Sequence, residues 1–309
     1  MGLEALGGHD HHAHSHGPAG GLDRQRALGL AFWLTGAIFV LEAVGARISG
    51  SLALGADAGH LLGDVLALGL SVWAARLALR PPTRAKSYGF GRAGILVALG
   101  NAALLLLITA GIAAAALGRF AHPASVRPIL MLPPAAAGLA INLLLAARLH
   151  GHARGDLNAR GVWLHVAGDA ASGAAVVAAA LLIAGTGWRW IDPALSLGIA
   201  ALIAAGAWRL AAEAGNVLLE GSPTGLDAER VAAVMGAVPG VSGVHHLHLW
   251  SIGGGHRALS GHLVLGAITL QHGQDISRAV EGALREHCDI THCTLQIEAD
   301  ADCPACDPR

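Results

Sequence analysis

His60-Leu61-Leu62-Gly63-Asp64 and, about a hundred residues later, His165-Val166-Ala167-Gly168-Asp169 repeat one pattern, HxxxD, each inside a long apolar run. At spacing i, i+4 on a helix the two side chains share one face, with Cβ atoms about 6 Å apart, so each pair offers one nitrogen and one oxygen in the same direction. Two pairs make four donors. Imidazole nitrogen and carboxylate oxygen in a small apolar setting suit tetrahedral Zn2+ better than Ca2+ or Mg2+, which take more oxygens. A single pair could be two buried ionisable groups satisfying each other. The duplication favours an ion site, because ionisable groups at bilayer depth are costly and mark ion or proton paths. With the two helices antiparallel, His60 is expected level with Asp169 and Asp64 level with His165, giving a four-cornered cage in which nitrogen and oxygen alternate.

The chain around these pairs has 309 residues, 54% hydrophobic and only 13% charged, which is too apolar for an ordinary soluble protein and reads as a polytopic membrane protein. A formal net charge of -1 gives no bulk electrostatic case for nucleic acid or for an acidic substrate. Cys288, Cys293, Cys303 and Cys306 all fall in the last polar segment, which argues for reduced thiols rather than a secreted disulfide scaffold. The first apolar run follows a polar stretch instead of a signal-peptide pattern. In that stretch Gly8 to Gly17 carries five imidazoles among small residues, so 1–23 is expected to be a disordered, loosely metal-binding tail.

Six apolar runs are each near the roughly twenty residues needed to cross a bilayer: 27–48, 52–79, 93–118, 127–148, 161–185 and 193–215. Arg24, Arg26, Arg76, Arg80, Arg84, Lys86, Arg92, Arg148, Arg154 and Arg160 crowd one side, and Arg47, Arg119, Arg127 and Arg189 are sparser on the other. The positive-inside rule then places both termini in the cytoplasm. Asp57, one turn before His60, is either an outer vestibule carboxylate or a cap for the helix start. Glu42 in the first run is either hydrogen-bonded to a neighbouring helix or part of the ion path. Asn101 and Asn142 are expected to bond between helices, and Ser172 to serve packing. Gly89-Phe90-Gly91-Arg92-Ala93-Gly94 spells GxGxxG, but no strand precedes it and a membrane run follows at once. It is read as a turn, not a dinucleotide site.

After Gly221-Ser222-Pro223 charge rises and runs shorten, so 24–220 is read as the transmembrane domain and 221–309 as a separate soluble domain. Leu226 to Val238 and Asp275 to Glu286 have helical periodicity, while Val244 to Ile252, Arg257 to Gly266 and His292 to Glu298 read as strands. The α-β-β-α-β order predicts a small ferredoxin-like α+β sandwich with antiparallel strands. Histidines on adjacent strands can converge on one ion, with Glu298 completing the set. Cys303-Pro304-Ala305-Cys306 has the spacing of half a zinc knuckle and lacks a second pair.

The stretches Ser51 to Asp64, Asp156-Leu157-Asn158 through Asp169, Leu219-Glu220-Gly221-Ser222-Pro223 and Leu247-His248-Leu249-Trp250 together resemble the cation diffusion facilitators, and within them the zinc-transporting group, over nearly the whole chain. The resemblance implies six membrane helices plus a cytoplasmic α+β domain, a homodimer in a bacterial inner membrane, and export of Zn2+ in exchange for protons. It implies His60, Asp64, His165 and Asp169 as transport ligands, and His245, His262, His292 and Glu298 as a regulatory zinc site. Cys303 and Cys306 resemble a CxxC of some members in which a partner chain's amino-terminal histidines help bind zinc. Two departures stand out: Gly94 replaces the usual acid after Tyr-Gly-x-x-Arg-Ala, and the loop before the fifth helix is short, with His150 and His152. An exporter of Co2+ or Cd2+ is the alternative substrate reading, and a membrane-anchored metal sensor the alternative class. No HExxH or separate general base points to an enzyme.

Overall fold

The computed structural model describes residues 19–122, 124–150, 157–253 and 255–300. The histidine-rich tail, His152, Cys303 and Cys306 lie outside the described residues. Six long helices come first: α1 (Ala19–Ser49), α2 (Leu52–Ala78), α3 (Ala93–Ala121), α4 (Pro128–His150), α5 (Leu157–Thr186) and α6 (Ile191–Leu218). All six contain a window apolar enough to cross a membrane. Their outward faces carry large apolar side chains such as Trp33, Leu107, Ile129 and Leu202, which lipid can cover and water cannot. The chain is an integral membrane protein.

With lipid as apolar as the side chains, helices associate here by close packing of small residues. Two glycines show why. A Cβ on Gly45 of α1 would stand 2.5 Å from Pro134 of α4, and one on Gly63 of α2 would stand 2.5 Å from Leu105 of α3. A side chain at Gly45 would meet the rigid Pro134 ring and one at Gly63, which directly precedes Asp64, would force Leu105 to shift. α3 runs along α6 and α4 along α5, while α1 packs on both α2 and α4. Leu54, Met131, Val176 and Ile199 form an apolar cluster that joins α2, α4, α5 and α6.

Beyond α6 lies the α+β domain: α7 (Ala228–Gly236), β1 (Gly243–Gly253), β2 (His256–Val264), α8 (Leu270–Cys288) and β3 (Ile290–Glu298). Side chains cap both helices, since Asp227 accepts from Arg230 N and Thr269 from His272 N. The sheet order is β1-β2-β3, with β1 and β2 antiparallel, as in Leu249↔Leu259. β2 and β3 are parallel, as in Val264↔Glu298, so the all-antiparallel sheet expected from the sequence is corrected to a mixed one. The physical reason is α8. Its 19 residues carry the chain back along the sheet, and such a crossover returns the next strand in the same direction. Val231, Met235, Leu259, Leu263, Val280 and Leu284 form the core between helices and sheet.

The two domains meet at the GxGxxG turn. Gly253, with φ +107°, lies so near Gly91 that a Cβ would stand 2.5 Å from its carbonyl carbon. Arg92 donates to Ser251 O and to Glu220 Oε1, each at 3.3 Å, and Tyr88 sits edge-on to His292.

Candidate functional site

α2 and α5 present their HxxxD faces to each other. His60 Nε2 lies 3.2 Å from Asp169 Oδ1 and 3.7 Å from Asp64 Oδ2; His165 Nε2 lies 3.5 Å from Asp64 Oδ2 and 3.8 Å from Asp169 Oδ2. Four donors bound about 2.0–2.1 Å from a tetrahedral ion stand roughly 3.3–3.4 Å apart, so these separations are those of a zinc coordination shell. The set is not uniformly tight. Donor atoms of His60, His165 and Asp169 all fall within 4.8 Å of one another, while Asp64 reaches the two imidazoles. Asp64 Oδ2 and His60 Nδ1 are buried without a hydrogen-bond partner. An unpaired buried carboxylate oxygen is costly, and a cation between the imidazoles would satisfy it. Access is uneven: the His165 side chain is 51% exposed and that of Asp169 only 13%.

Asp57 is 6% exposed and accepts a 2.7 Å hydrogen bond from Ser172 Oγ, so it faces α5 rather than an open vestibule in this conformation. Nor does it cap α2; Ser51 does, accepting from Leu54 N. The carboxyl of Glu42, 2% exposed, packs over Gly138 of α4, and its Oε2 has no hydrogen-bond partner. Asn101 Oδ1 is likewise buried and unpartnered, unlike the interhelical bond expected of it.

The sequence reading passed over Asp192. Fully buried, it accepts from Ser51 Oγ (2.5 Å), Leu52 N (2.9 Å) and Ala53 N (3.2 Å), and pairs with Arg119 Nη1 at 2.9 Å. Arg119 also donates to Gly50 O at 2.7 Å. This carboxylate thus answers the orphan amides that open α2 and ties α2, α3 and α6 together at the end away from the sheet. An acid directly before a proline at a helix start was the available signal. It lies one residue outside the apolar run, which begins at Pro193.

In the sheet domain His245 Nε2 and His262 Nδ1 each lie 2.8 Å from Glu298, on opposite oxygens. Burial disfavours the Glu298 charge, but the His245 hydrogen bond and the two histidines outweigh it and hold the carboxyl below its ordinary range. His292 does not join them, which corrects its place in the expected set. It pairs in register with Ala258, whereas Glu298 pairs with Val264. Six residues along a strand are roughly 20 Å, too far for one ion. A different histidine comes near. The register slips between His245 and His248, His246 takes φ +52°, and its ring stacks on His262 with centroids 5.0 Å apart. Such a bulge is not readable from alternation.

Six apolar helices, a cluster of two imidazoles and two carboxylates between two of them and an appended mixed-sheet domain define an integral membrane protein with metal-type donors among its membrane helices. Comparison with known proteins narrows the class. The cation efflux transmembrane domain matches residues 28–219, and the cytoplasmic domain of cation efflux proteins matches 223–300. The zinc transporter ZitB of Escherichia coli is 38% identical over 294 residues, covering 94% of this chain and 92% of that protein. A cadmium, cobalt and zinc/H(+)-K(+) antiporter of Bacillus subtilis is 35% identical over 280 residues, 90% of each chain. The metal cation efflux system protein CzcD of Cupriavidus metallidurans is 34% identical, covering 92% of this chain and 89% of that protein. The chain belongs to the cation diffusion facilitator, or cation efflux, family.

Proposed function

We propose that this protein exports Zn2+ from the cytoplasm in exchange for protons, with His60, Asp64, His165 and Asp169 as the transport ligands. The observation that supports it most is the alternation of nitrogen and oxygen at 3.2 to 3.8 Å across α2 and α5. Metal and protons compete for the same lone pairs, so loading Zn2+ releases protons and protonation from the other side releases Zn2+. By the positive-inside rule the arginine-rich loops support a cytoplasmic α+β domain and cytoplasmic termini, and the bacterial relatives support an inner-membrane location. The layout of tail 1–23, transmembrane domain 24–220 and cytoplasmic domain 221–309 belongs to this reading, as does a homodimer.

His245, His262 and Glu298 would serve as a regulatory zinc site. Their donor atoms lie within 4.8 Å of one another, and two imidazoles with one carboxylate form a zinc-type donor set. Cys303 and Cys306 would add a further pair of thiolates, and the amino-terminal histidines a local reservoir. Transport of Cd2+ and Co2+ is a second substrate reading, favoured by the name of the Bacillus subtilis relative. The sensor reading is weaker, because a sensor needs no donors at bilayer depth. The test is Zn2+ uptake into proteoliposomes with an imposed pH difference and a pH dye inside. Uptake coupled to proton movement is the expected result; zinc movement indifferent to the pH difference would refute exchange.

A further inference from the structure

Where the two domains meet, a half-open cavity of about 840 Å3 lies between the α2–α3 loop and the sheet domain. The loop contributes Lys86, Ser87 and Arg92; the other wall includes Ser222, His248 and Trp250. Its size is that of a small-molecule site. Its charge is the notable property. No Asp or Glu occurs from residue 65 to residue 155, while Arg76, Arg80, Arg84, Lys86 and Arg92 follow one another across this bend. The one carboxylate in the lining, Glu220, is already held by Arg92 at 3.3 Å, and among the described residues no carboxylate pairs with Lys86. The backbone of Lys86 is also held in place. Its backbone exchanges hydrogen bonds with Thr83 in both directions (3.0 and 3.1 Å), Thr83 Oγ1 accepts from its amide, and its ammonium lies 5.8 Å from the Phe90 ring centroid. These bonds fix the backbone from which the exposed Lys86 side chain reaches the cavity.

The loop begins as soon as α2 ends, so the cavity lies at the sheet-domain end of a membrane-length helix, and its lining includes Trp250 and Tyr88, ring types favoured near lipid headgroups. We infer that this cavity binds a phosphate anion, and specifically the phosphodiester headgroup of an anionic phospholipid, between Lys86 and Arg92. Hydroxyls of Ser87 and Ser222 supply donors for the remaining phosphate oxygens. Such a ligand touches both domains at once. It also competes with Glu220 for Arg92, so the lipid is a third party in the contact that joins the domains.

The test is native mass spectrometry of the full-length protein released from detergent containing equal phosphatidylglycerol and phosphatidylcholine, with calorimetric titration by inorganic phosphate as a second arm. The parent is expected to retain phosphatidylglycerol in preference to phosphatidylcholine. In K86Q/R92Q that preference should fall by about tenfold or more. E220Q, which breaks the ion pair and keeps both cations, should retain or strengthen it. K86Q alone, a change in an exposed loop, should show an intermediate loss and keeps the idea testable if the double variant fails to fold. Strong binding of inorganic phosphate without lipid preference would keep the anion site and overturn the lipid as its source. Equal retention of the two lipids without phosphate binding, or a preference undiminished in K86Q/R92Q and K86Q, would overturn the site itself.

Discussion

The intramembrane cluster and the sheet cluster use the same chemistry, imidazole and carboxylate, on opposite kinds of support. His60 and Asp64 ride on one helix and His165 and Asp169 on another, and the two helices are joined by packing rather than by backbone hydrogen bonds. His245, His262 and Glu298 sit on three neighbouring strands, where the ladder itself fixes the register. Helices that slide or rock can open the first set, whereas the strand ladder holds the backbone of the second in fixed register. On the proposed reading, the same donors suit passage in one place and retention in the other.

The largest expected effect separates the two directly. Asp64→Ala or Asp169→Ala should abolish Zn2+ uptake into everted vesicles while the protein stays folded, because one donor in four is lost. His245→Ala should leave the maximal rate nearly unchanged and remove zinc-dependent thermal stabilisation, about 2.7 kcal/mol at roughly a hundredfold excess of metal over Kd. Transport by Asp64→Ala at the parental rate would break the comparison.

Next in size is the support that lets α2 carry its half of the cage. Arg119→Ala leaves Asp192 charged and buried without its cation, and should destabilise the protein by about 3–5 kcal/mol, read as an early thermal transition in detergent. Asp192→Asn keeps an acceptor for the α2 amides and should cost less.

Replacing His60 by Asp sharpens the contrast by changing a donor without removing one. Three carboxylates and one imidazole constrain ion size less, so the Cd2+ to Zn2+ uptake ratio should rise. An identical ratio in parent and variant would show that His60 does not set selectivity.

The smallest effects belong to the rigid side. The lowered pKa of Glu298 contributes stability above the ordinary carboxylate range, and that contribution is lost as pH falls through the folded value, so acid melts of parent and Glu298→Gln should converge at low pH. The Cys293 thiol is pushed up to about 11, first by burial and then by the Glu281 carboxylate, against the opposing pull of Arg285. It should resist iodoacetamide at neutral pH until the sheet unfolds; fast alkylation of the folded protein would contradict this.

How legible the molecule was in its sequence follows the same division. The six spans and the four-donor face depend on local periodicity and i, i+4 spacing, which a helix turns into geometry without help from elsewhere. The parallel β3 depended on where α8 delivers the chain, and the exclusion of His292 on a register set six residues away. The His246 bulge depended on one backbone angle. Asp192 was missed for another reason. Its partners, Ser51 and Arg119, are remote in sequence, and a lone acid at a loop edge does not announce that it will be buried.

The antiparallel HxxxD pairs have one more consequence. Turning the cluster half a revolution about an axis between α2 and α5 exchanges His60 with His165 and Asp64 with Asp169, so an ion held there would lie on a local pseudo-twofold axis and meet the same donor types whichever face it looks toward. Ligand chemistry then carries no sense of direction. The two levels differ in how open and how tight they are, with His165 51% exposed and Asp169 13%, and 3.5 Å between Asp64 and His165 against 3.2 Å between His60 and Asp169. On the proposed reading, direction comes from which face the helices uncover and from the gradients on the two sides, and a cluster of this symmetry would pass its ion backward as readily as forward if those gradients were reversed.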